Sequence, residues 1–431
     1  MKTAFKKIIA YILKIESQLV LSKYKPKIVA ITGSVGKTST KDAVYAVLAG
    51  VAHVRKSEKS YNSEIGLPLT ILGIPNGWNN PLSWLKNIGK GFWLYIWPHK
   101  YPTWLVLEVG VGKEGDMRRT ASWLPSNVVI ITAIGETPAH IEFFNSRKNL
   151  IEEKSSLIKT LKKDGLLILN ADDEDVLAMK AKTKNITITY GWKLGADALG
   201  SGDSMLYDGE GVPKGVTFRI DEGGTSLPIV VEGVFGRNHI YASLAALALS
   251  SGLKFNMINA IDALKNYEIA PGRMRLLKGI RDSLIIDDTY NSSPFACKSA
   301  LLTFGQVKCS GRKIAILGDM LELGKHTEEA HKNIGKIAKE NANVLITVGQ
   351  RAKAIKEGAL EVGMNSENIF EFLSSSEAGK FAETFVQKGD LVLVKGSQGI
   401  RMERVCEALL LEKENKNKLL VRQDREWLEK R

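Results

Sequence analysis

Between Lys27 and Gly50 an apolar run, a glycine turn and a helix-forming run follow without a break: "KIVAIT", "GSVG", then "KTSTKDAVYAVLAG". The apolar core of the first run shows no alternation, so it reads as a short strand buried on both faces. Such a strand belongs to a sheet covered by helices on both sides. Gly50 ends the helix. The chain is thereby committed to α/β architecture, with its turn at the end of a strand where open α/β sheets bind ligands. That turn is shorter than the generic phosphate loop G-x-x-x-x-G-K, because Gly33 and Gly36 enclose only Ser34 and Val35.

Glycines at a strand end let backbone N–H groups approach phosphate oxygens, and the helix N-terminus behind them adds a favourable dipole. Lys37 is placed for the terminal phosphates and the Thr38 hydroxyl for magnesium. The candidate nucleotide loop is Gly33, Ser34, Val35, Gly36, Lys37, Thr38 and Ser39.

Further strands are expected at "WLVLEVG", "NVVIIT" and "GLLILN", with a small antiparallel patch in the glycine-rich stretch 192–235. Two helices then run from about Asn238 to Leu264. After "NYEIAPGRMRLL" the alternation restarts with "SLIIDD", "KIAILG", "NVLITVG" and "DLVLVKG", each followed by a helical stretch. A chain of 431 residues is too long for one ordinary core. The expected fold is α/β: a phosphate-loop central domain (28–271) with a mainly parallel sheet, then a Rossmann-like, doubly wound C-terminal domain (272–412). Residues 1–27 form an amphipathic arm, and 413–431 a charged tail that is a helix or frayed.

The balance of 60 basic against 47 acidic residues, net +13, favours polyanionic partners. No zinc-finger spacing or RNA-binding aromatic signature accompanies it, so nucleic acid is not expected. Cys297, Cys309 and Cys406 lack metal-ligand spacing and suit a reducing cytoplasm. No apolar run approaches the ~20 residues that cross a bilayer. In the basic N-terminus Phe5, Ile8, Ile9, Ile12 and Leu19 fall on one helical face, expected to pack on the body; a basic helix on a membrane surface is the alternative. The segment from Trp78 to Trp104 holds most of the tryptophans, interleaved with lysines, a composition that suits a bilayer interface or a docking surface.

Outside the loop, Glu108 ends a strand, and His140, in "PAHIEFF", follows the next and could reach the same crevice. Lys154, in "LIEEKSSLI", would by itself be a solvated helix lysine. Arg273 lies at the junction between domains, where a guanidinium could reach a phosphate. Asp287 and Asp288 end "SLIIDD" beside the polar "TYNSSP".

These residues, in this order, resemble the Mur ligase family of ATP-dependent amide-forming enzymes, whose phosphate loop has this short form. The resemblance runs from about residue 28 to 408. The stretches "NSEIGLPLTIL", "IIDDTYNSSP", "ILGDMLELGKHTEEAH" and "VLVKGSQGIRME" are similar to the branch that adds D-alanyl-D-alanine to a muramoyl tripeptide. The resemblance implies that Lys37 and Thr38 hold ATP phosphate and magnesium, and that Glu108, His140 and a carbamylated Lys154 serve two magnesium ions. It implies that Arg273 touches the γ-phosphate, that Asp288 contacts the nucleotide, and that Asn62, Tyr290 and Asn291 face substrate. It also implies small-molecule substrates and a monomer in the cytoplasm, with membrane contact at its inner face as a further expectation.

The sequence departs from the family in three places. "GRNHIYAS" swaps Asn238 and His239 relative to the usual Gly-x-His-Asn, leaving His239 as the residue expected to stack on a purine. Ala133 stands where Asn is common, and "ETPAH" is longer than usual. Only about 27 residues precede the first strand, where relatives carry a domain that holds the UDP-sugar. The last departure leaves open another acyl acceptor, a polyglutamate or cyanophycin-like polymer or a lipid-linked precursor, and a non-catalytic nucleotide-binding scaffold is the remaining alternative.

Overall fold

The computed structural model describes residues 3–58, 61–135 and 143–429. Its first sheet contains β1 (Lys27–Thr32), β2 (Val54–Lys56), β3 (Trp104–Glu108), β4 (Ser126–Ile131), β5 (Leu161–Asn170), β6 (Ile186–Gly191), β7 (Ala198–Tyr207), β8 (Pro213–Glu222) and β9 (Thr225–Glu232). They lie in the order β2-β3-β1-β4-β5-β6-β7-β8-β9. Pairing is parallel from β2 to β7, and antiparallel where β8 joins β7 and β9. The second sheet contains β10 (Arg275–Lys278), β11 (Leu284–Asp288), β12 (Lys313–Gly318), β13 (Val344–Val348), β14 (Ile369–Phe372) and β15 (Leu391–Lys395), in the order β10-β11-β15-β12-β13-β14. Only β10 is antiparallel to its neighbour.

The expected strands and the antiparallel patch are present. Sequence reading missed β2, β6, β10 and β14. Three of these have four residues or fewer and lie at a sheet edge, and β6 alternates Ile with Thr. Such segments lack the continuous apolar run that marks the central strands.

Both sheets are sandwiched. Val29 and Ile31 of β1 face one core with α2 (Lys37–Ala49) and the helix Arg237–Gly252. Ile28 and Ala30 face the opposite core with α1 (Thr3–Tyr24), α3 (Gly66–Leu72) and α4 (Pro81–Ile96). Two separate cores cover the second sheet in the same way. Because β1 has β3 and β4 as parallel neighbours, their three C-terminal ends form one crevice, the place where such sheets bind ligands.

Three peripheral segments take definite places on the body. The N-terminal helix packs on the body, but through Ile9, Leu13, Ser17 and Val20; of the face expected to pack, Phe5 and Ile8 point to solvent. Trp84 is buried, its indole N–H donating to the Trp78 carbonyl at 2.8 Å, so it belongs to the core. The C-terminal tail folds into short helices and docks. Leu420 is buried, and Arg422 donates to Glu403 at 2.8 Å, to the Thr289 carbonyl at 3.1 Å and to the Tyr290 carbonyl. Among the described residues no helix is long and apolar enough to cross a membrane.

Arg422→Ala leaves Glu403, 1% exposed, with Arg401 as its remaining ion-pair partner, and strips two carbonyls of a donor. The unfolding free energy is expected to fall by about 2–3 kcal/mol, read as a lower urea midpoint at unchanged slope. A loss under about 0.5 kcal/mol would contradict the docked tail.

Candidate active site

The short loop is built against β4. The amides of Ser34 and Val35 donate to the Ala133 carbonyl at 2.7 and 3.1 Å, and the Thr132 hydroxyl donates to the Val35 carbonyl at 2.7 Å. Gly33 (φ 148°) passes so close that a Cβ there would overlap the Thr132 hydroxyl, and Gly36 (φ 84°) turns the chain into α2. The backbone of Ala133 makes these bonds, so an alanine at that position serves the loop. Helix geometry leaves the first-turn amides of α2, Lys37 to Ser39, without an intrahelical acceptor, beside a positive dipole end.

Two lysines converge on one carbonyl. Lys37 and Lys154 each place Nζ 2.9 Å from the Gly33 carbonyl oxygen, and Lys37 also donates to Ser34 O at 3.3 Å. Burial first, then the positive charge of Lys37, holds the Lys154 pKa well below the usual lysine value. Lys154 is therefore a buried amine whose surroundings disfavour the charged form, and the solvated helix lysine read from its local sequence is corrected. Lys37 is lowered too, by burial first; Glu108 opposes and Arg273 reinforces that shift.

Next to the lysines lies an oxygen cluster. Glu108, at the end of β3 and 1% exposed, accepts from the Thr38 hydroxyl at 2.9 Å and from the Asn62 amide at 3.0 Å. The Ser57 hydroxyl accepts its backbone N–H at 3.2 Å. Hydroxyl and carboxylate oxygens are the hard donors magnesium takes. Among the described residues no group of three or more His, Cys, Asp and Glu could hold a metal, so an ion here needs phosphate and water oxygens as well. His140 lies outside the described residues.

Arg273 enters from the second half of the chain. Its guanidinium donates to the Thr38 hydroxyl at 3.2 Å and lies over the Tyr290 ring, 3.9 Å from the centroid. Its backbone is gripped on three sides. Asp287 accepts the Gly272 amide at 2.9 Å, Asp288 accepts the Met274 amide at 3.2 Å, and His239 Nε2 donates to the Arg273 carbonyl at 2.7 Å. Asp288 also pairs with Lys395 Nζ at 2.6 Å, and that lysine donates to the Asn291 carbonyl at 2.9 Å.

The expectation that His239 stacks on a purine is corrected by this geometry. The side chain is buried, with both ring nitrogens engaged, the second at 2.8 Å from the Tyr267 hydroxyl. Because the Arg273 carbonyl can only accept, Nε2 carries the proton and Nδ1 accepts from Tyr267. The swap puts Asn238 at the cleft instead, a large opening of about 1270 Å³ also lined by Val35, Gly36, Tyr241 and, from the second half, Phe295 and Lys298. Tyr290 likewise supports Arg273 through its ring, between that guanidinium and Arg422. Sequence reading missed Thr132, Ser57 and Lys395. Of these Thr132, closing "NVVIIT", and Lys395, closing "LVLVK", carried a signal, their place at a strand end, and Ser57 carried none.

A short glycine loop at the head of a parallel sheet, faced by an arginine from a second doubly wound domain, defines a two-domain phosphate-loop α/β protein. Residues 31–250 match the Mur ligase middle domain and residues 272–398 the Mur ligase, glutamate ligase domain. The chain belongs to the Mur ligase family. It is 29% identical over 395 residues to UDP-N-acetylmuramoyl-tripeptide–D-alanyl-D-alanine ligase of Bacillus subtilis, covering 90% of this chain and 77% of that one. The Escherichia coli ligase of the same name is 25% identical, covering 89% and 76%. The MurF ligase of Thermotoga maritima in complex with ADP superposes with a TM-score of 0.75 at 25% identity, over 95% of this chain and 84% of that one.

Burial presses the His239 pKa down to about 4 from an ordinary 6.5. A depressed folded value means the unfolded chain takes up the proton first, so stability is full above about pH 6.5 and lost as pH falls towards 4. The loss is on the order of 3 kcal/mol, and His239→Gln should flatten that part of the urea-midpoint profile. An unchanged slope between pH 6.5 and 4 in the variant would contradict the assignment.

Proposed function

We propose that this chain is an ATP-dependent acid–amino-acid ligase that adds D-alanyl-D-alanine to a muramoyl-tripeptide precursor in peptidoglycan synthesis. The observation that carries the reading is the meeting of Lys37, Thr38, Glu108 and Arg273 at the mouth of the short loop. The activity named for its relatives supports the choice of substrates. The enzyme acts as a monomer in the cytoplasm, at the inner face of the membrane.

In the first step a carboxylate oxygen of the tripeptide attacks the γ-phosphorus of ATP, the bond to the bridging oxygen breaks, and ADP leaves. The product is an acyl phosphate. The dipeptide amine then attacks the acyl carbon, loses a proton, and expels inorganic phosphate. Charge spreads over the transferring phosphoryl group, so the protein's task is positioning and electrostatic support. Lys37 and the first-turn amides of α2 hold the phosphates, and Arg273 reaches the γ-phosphate from across the domain boundary. A magnesium ion held there would supply positive charge to offset that of the phosphate oxygens. Thr38 and Glu108 would hold one ion, with Asn62 orienting the carboxylate, while His140 and Lys154 would serve a second.

Lys154 fits that role as its carbamate. Its neutral amine adds to carbon dioxide, forming a C–N bond and releasing one proton, which places an anion beside Lys37. Asp288 holds the C-terminal side of the nucleotide site, and Asn291 and Tyr290 border the incoming dipeptide. Domain closure keeps water from the acyl phosphate.

Lys37→Ala is expected to abolish ATP-dependent phosphate release with muramoyl tripeptide and D-alanyl-D-alanine, a loss of at least about a thousandfold, while its urea midpoint stays near wild type. Unchanged turnover would refute the site. Labelled bicarbonate should give a carbamate carbon resonance in wild type and none in Lys154→Ala, whose kcat falls by about a hundredfold or more. A resonance that survives the substitution would remove Lys154 from the metal site.

A further inference from the structure

The helices α1 and α4 lie side by side against the first sheet. Lys23 Nζ donates to the Tyr95 and Trp97 carbonyls at 2.6 and 2.8 Å, and the Tyr24 hydroxyl donates to the Leu94 carbonyl at 3.0 Å. Each helix spends one face on the protein: Ile9, Leu13 and Val20 in α1, Trp84, Asn87 and Gly91 in α4. Each carries a second apolar stripe turned outward. In α1 the stripe includes Ile8, Tyr11 and Ile15; in α4 it includes Leu82, Leu85, Trp93 and Ile96. These are not marginal exposures: Leu82 and Leu85 are 76% and 68% exposed, and Trp93 and Trp97 are 53% and 54%. A soluble surface helix ordinarily turns polar residues to water, so two adjoining apolar stripes mark an interaction surface.

Charge chooses the occupant. Residues 3–27 and 77–100 contain one acidic residue, Glu16, and its side chain is buried against α4, where a Cβ on Gly91 would overlap the carboxylate. Exposed Lys6, Lys7, Lys86, Lys90 and Lys100 surround the stripes. Lysines beside tryptophan, phenylalanine and leucine on helices too polar to span are the composition of a surface lying in the headgroup region of an anionic bilayer.

We propose that the outward stripes of α1 and α4 form a membrane-docking surface that holds this ligase on anionic lipid. The aliphatic and indole side chains enter the headgroup and upper acyl region, and the lysines pair with lipid phosphates. The inference deepens the inner-face placement of the proposed ligase by naming its surface and its lipid class. Its test needs neither nucleotide nor acceptor, so failure of docking leaves the ligase reading standing.

The test is co-sedimentation of the full chain with vesicles of phosphatidylcholine containing phosphatidylglycerol, against phosphatidylcholine alone, at low and high salt. Binding is expected to the anionic vesicles, with a blue shift of tryptophan emission and a decline as salt rises. Lys86→Glu with Lys90→Glu should weaken it by about tenfold or more, and Trp93→Ser with Ile96→Ser by a similar factor, each at an unchanged urea midpoint. No association, or association that ignores lipid charge and both double variants, would overturn the proposal. So would a concentration-dependent dimer that the Trp93/Ile96 variant dissolves, because the stripes would then face a second copy.

Discussion

The bond from the Arg273 guanidinium to the Thr38 hydroxyl joins the two halves of the molecule at the point where the chemistry is proposed. Thr38 belongs to the first sheet's phosphate loop, and Arg273 stands two residues before β10 of the second sheet. Because Thr38 also donates to Glu108, the contact links a cation, a hydroxyl and a carboxylate in one chain. The surrounding architecture fixes this arrangement from both sides. Ala133 and Thr132 set the loop, while Asp287, Asp288 and His239 fix the arginine's backbone and Tyr290 its side chain.

Seen this way, the buried polar groups of the second half have a shared purpose. Asp287 and Asp288 are the adjacent carboxylates ending β11, and each grips an amide on either side of Arg273. Lys395 offsets Asp288, and Arg422 closes over the same loop from the C-terminal tail. Such groups are costly to bury unpaired and rigid when fully paired. The opposite arrangement holds at the loop, where two lysine side chains share the Gly33 carbonyl and Arg273 lies near. The site is thus poised for anionic phosphate, and the electrostatic cost falls on the group best able to lose its proton, Lys154.

Much of this was legible in the sequence, for identifiable reasons. Central parallel strands are continuous apolar runs, so β1, β3, β4, β12, β13 and β15 announced themselves, and a glycine turn between strand and helix located the crevice. Glu108, Arg273 and Asp288 were legible because strand ends and domain junctions are where function gathers. What was hidden depends on three-dimensional neighbours. Nothing local says that Lys154 is buried against Gly33, or that the imidazole of His239 points inward to the Arg273 carbonyl while Asn238 meets the cleft. The N-terminal helix shows the same limit. It has apolar residues on two faces, and periodicity alone could not tell which one the protein buries.

In the proposed reaction the γ-phosphoryl group passes through an acyl phosphate formed on the acceptor's own carboxylate. That step is tested most directly by labelling that carboxylate with heavy oxygen and running one turnover with ATP and D-alanyl-D-alanine. One labelled oxygen is expected in the released inorganic phosphate and the other in the new amide carbonyl. Unlabelled phosphate would contradict it.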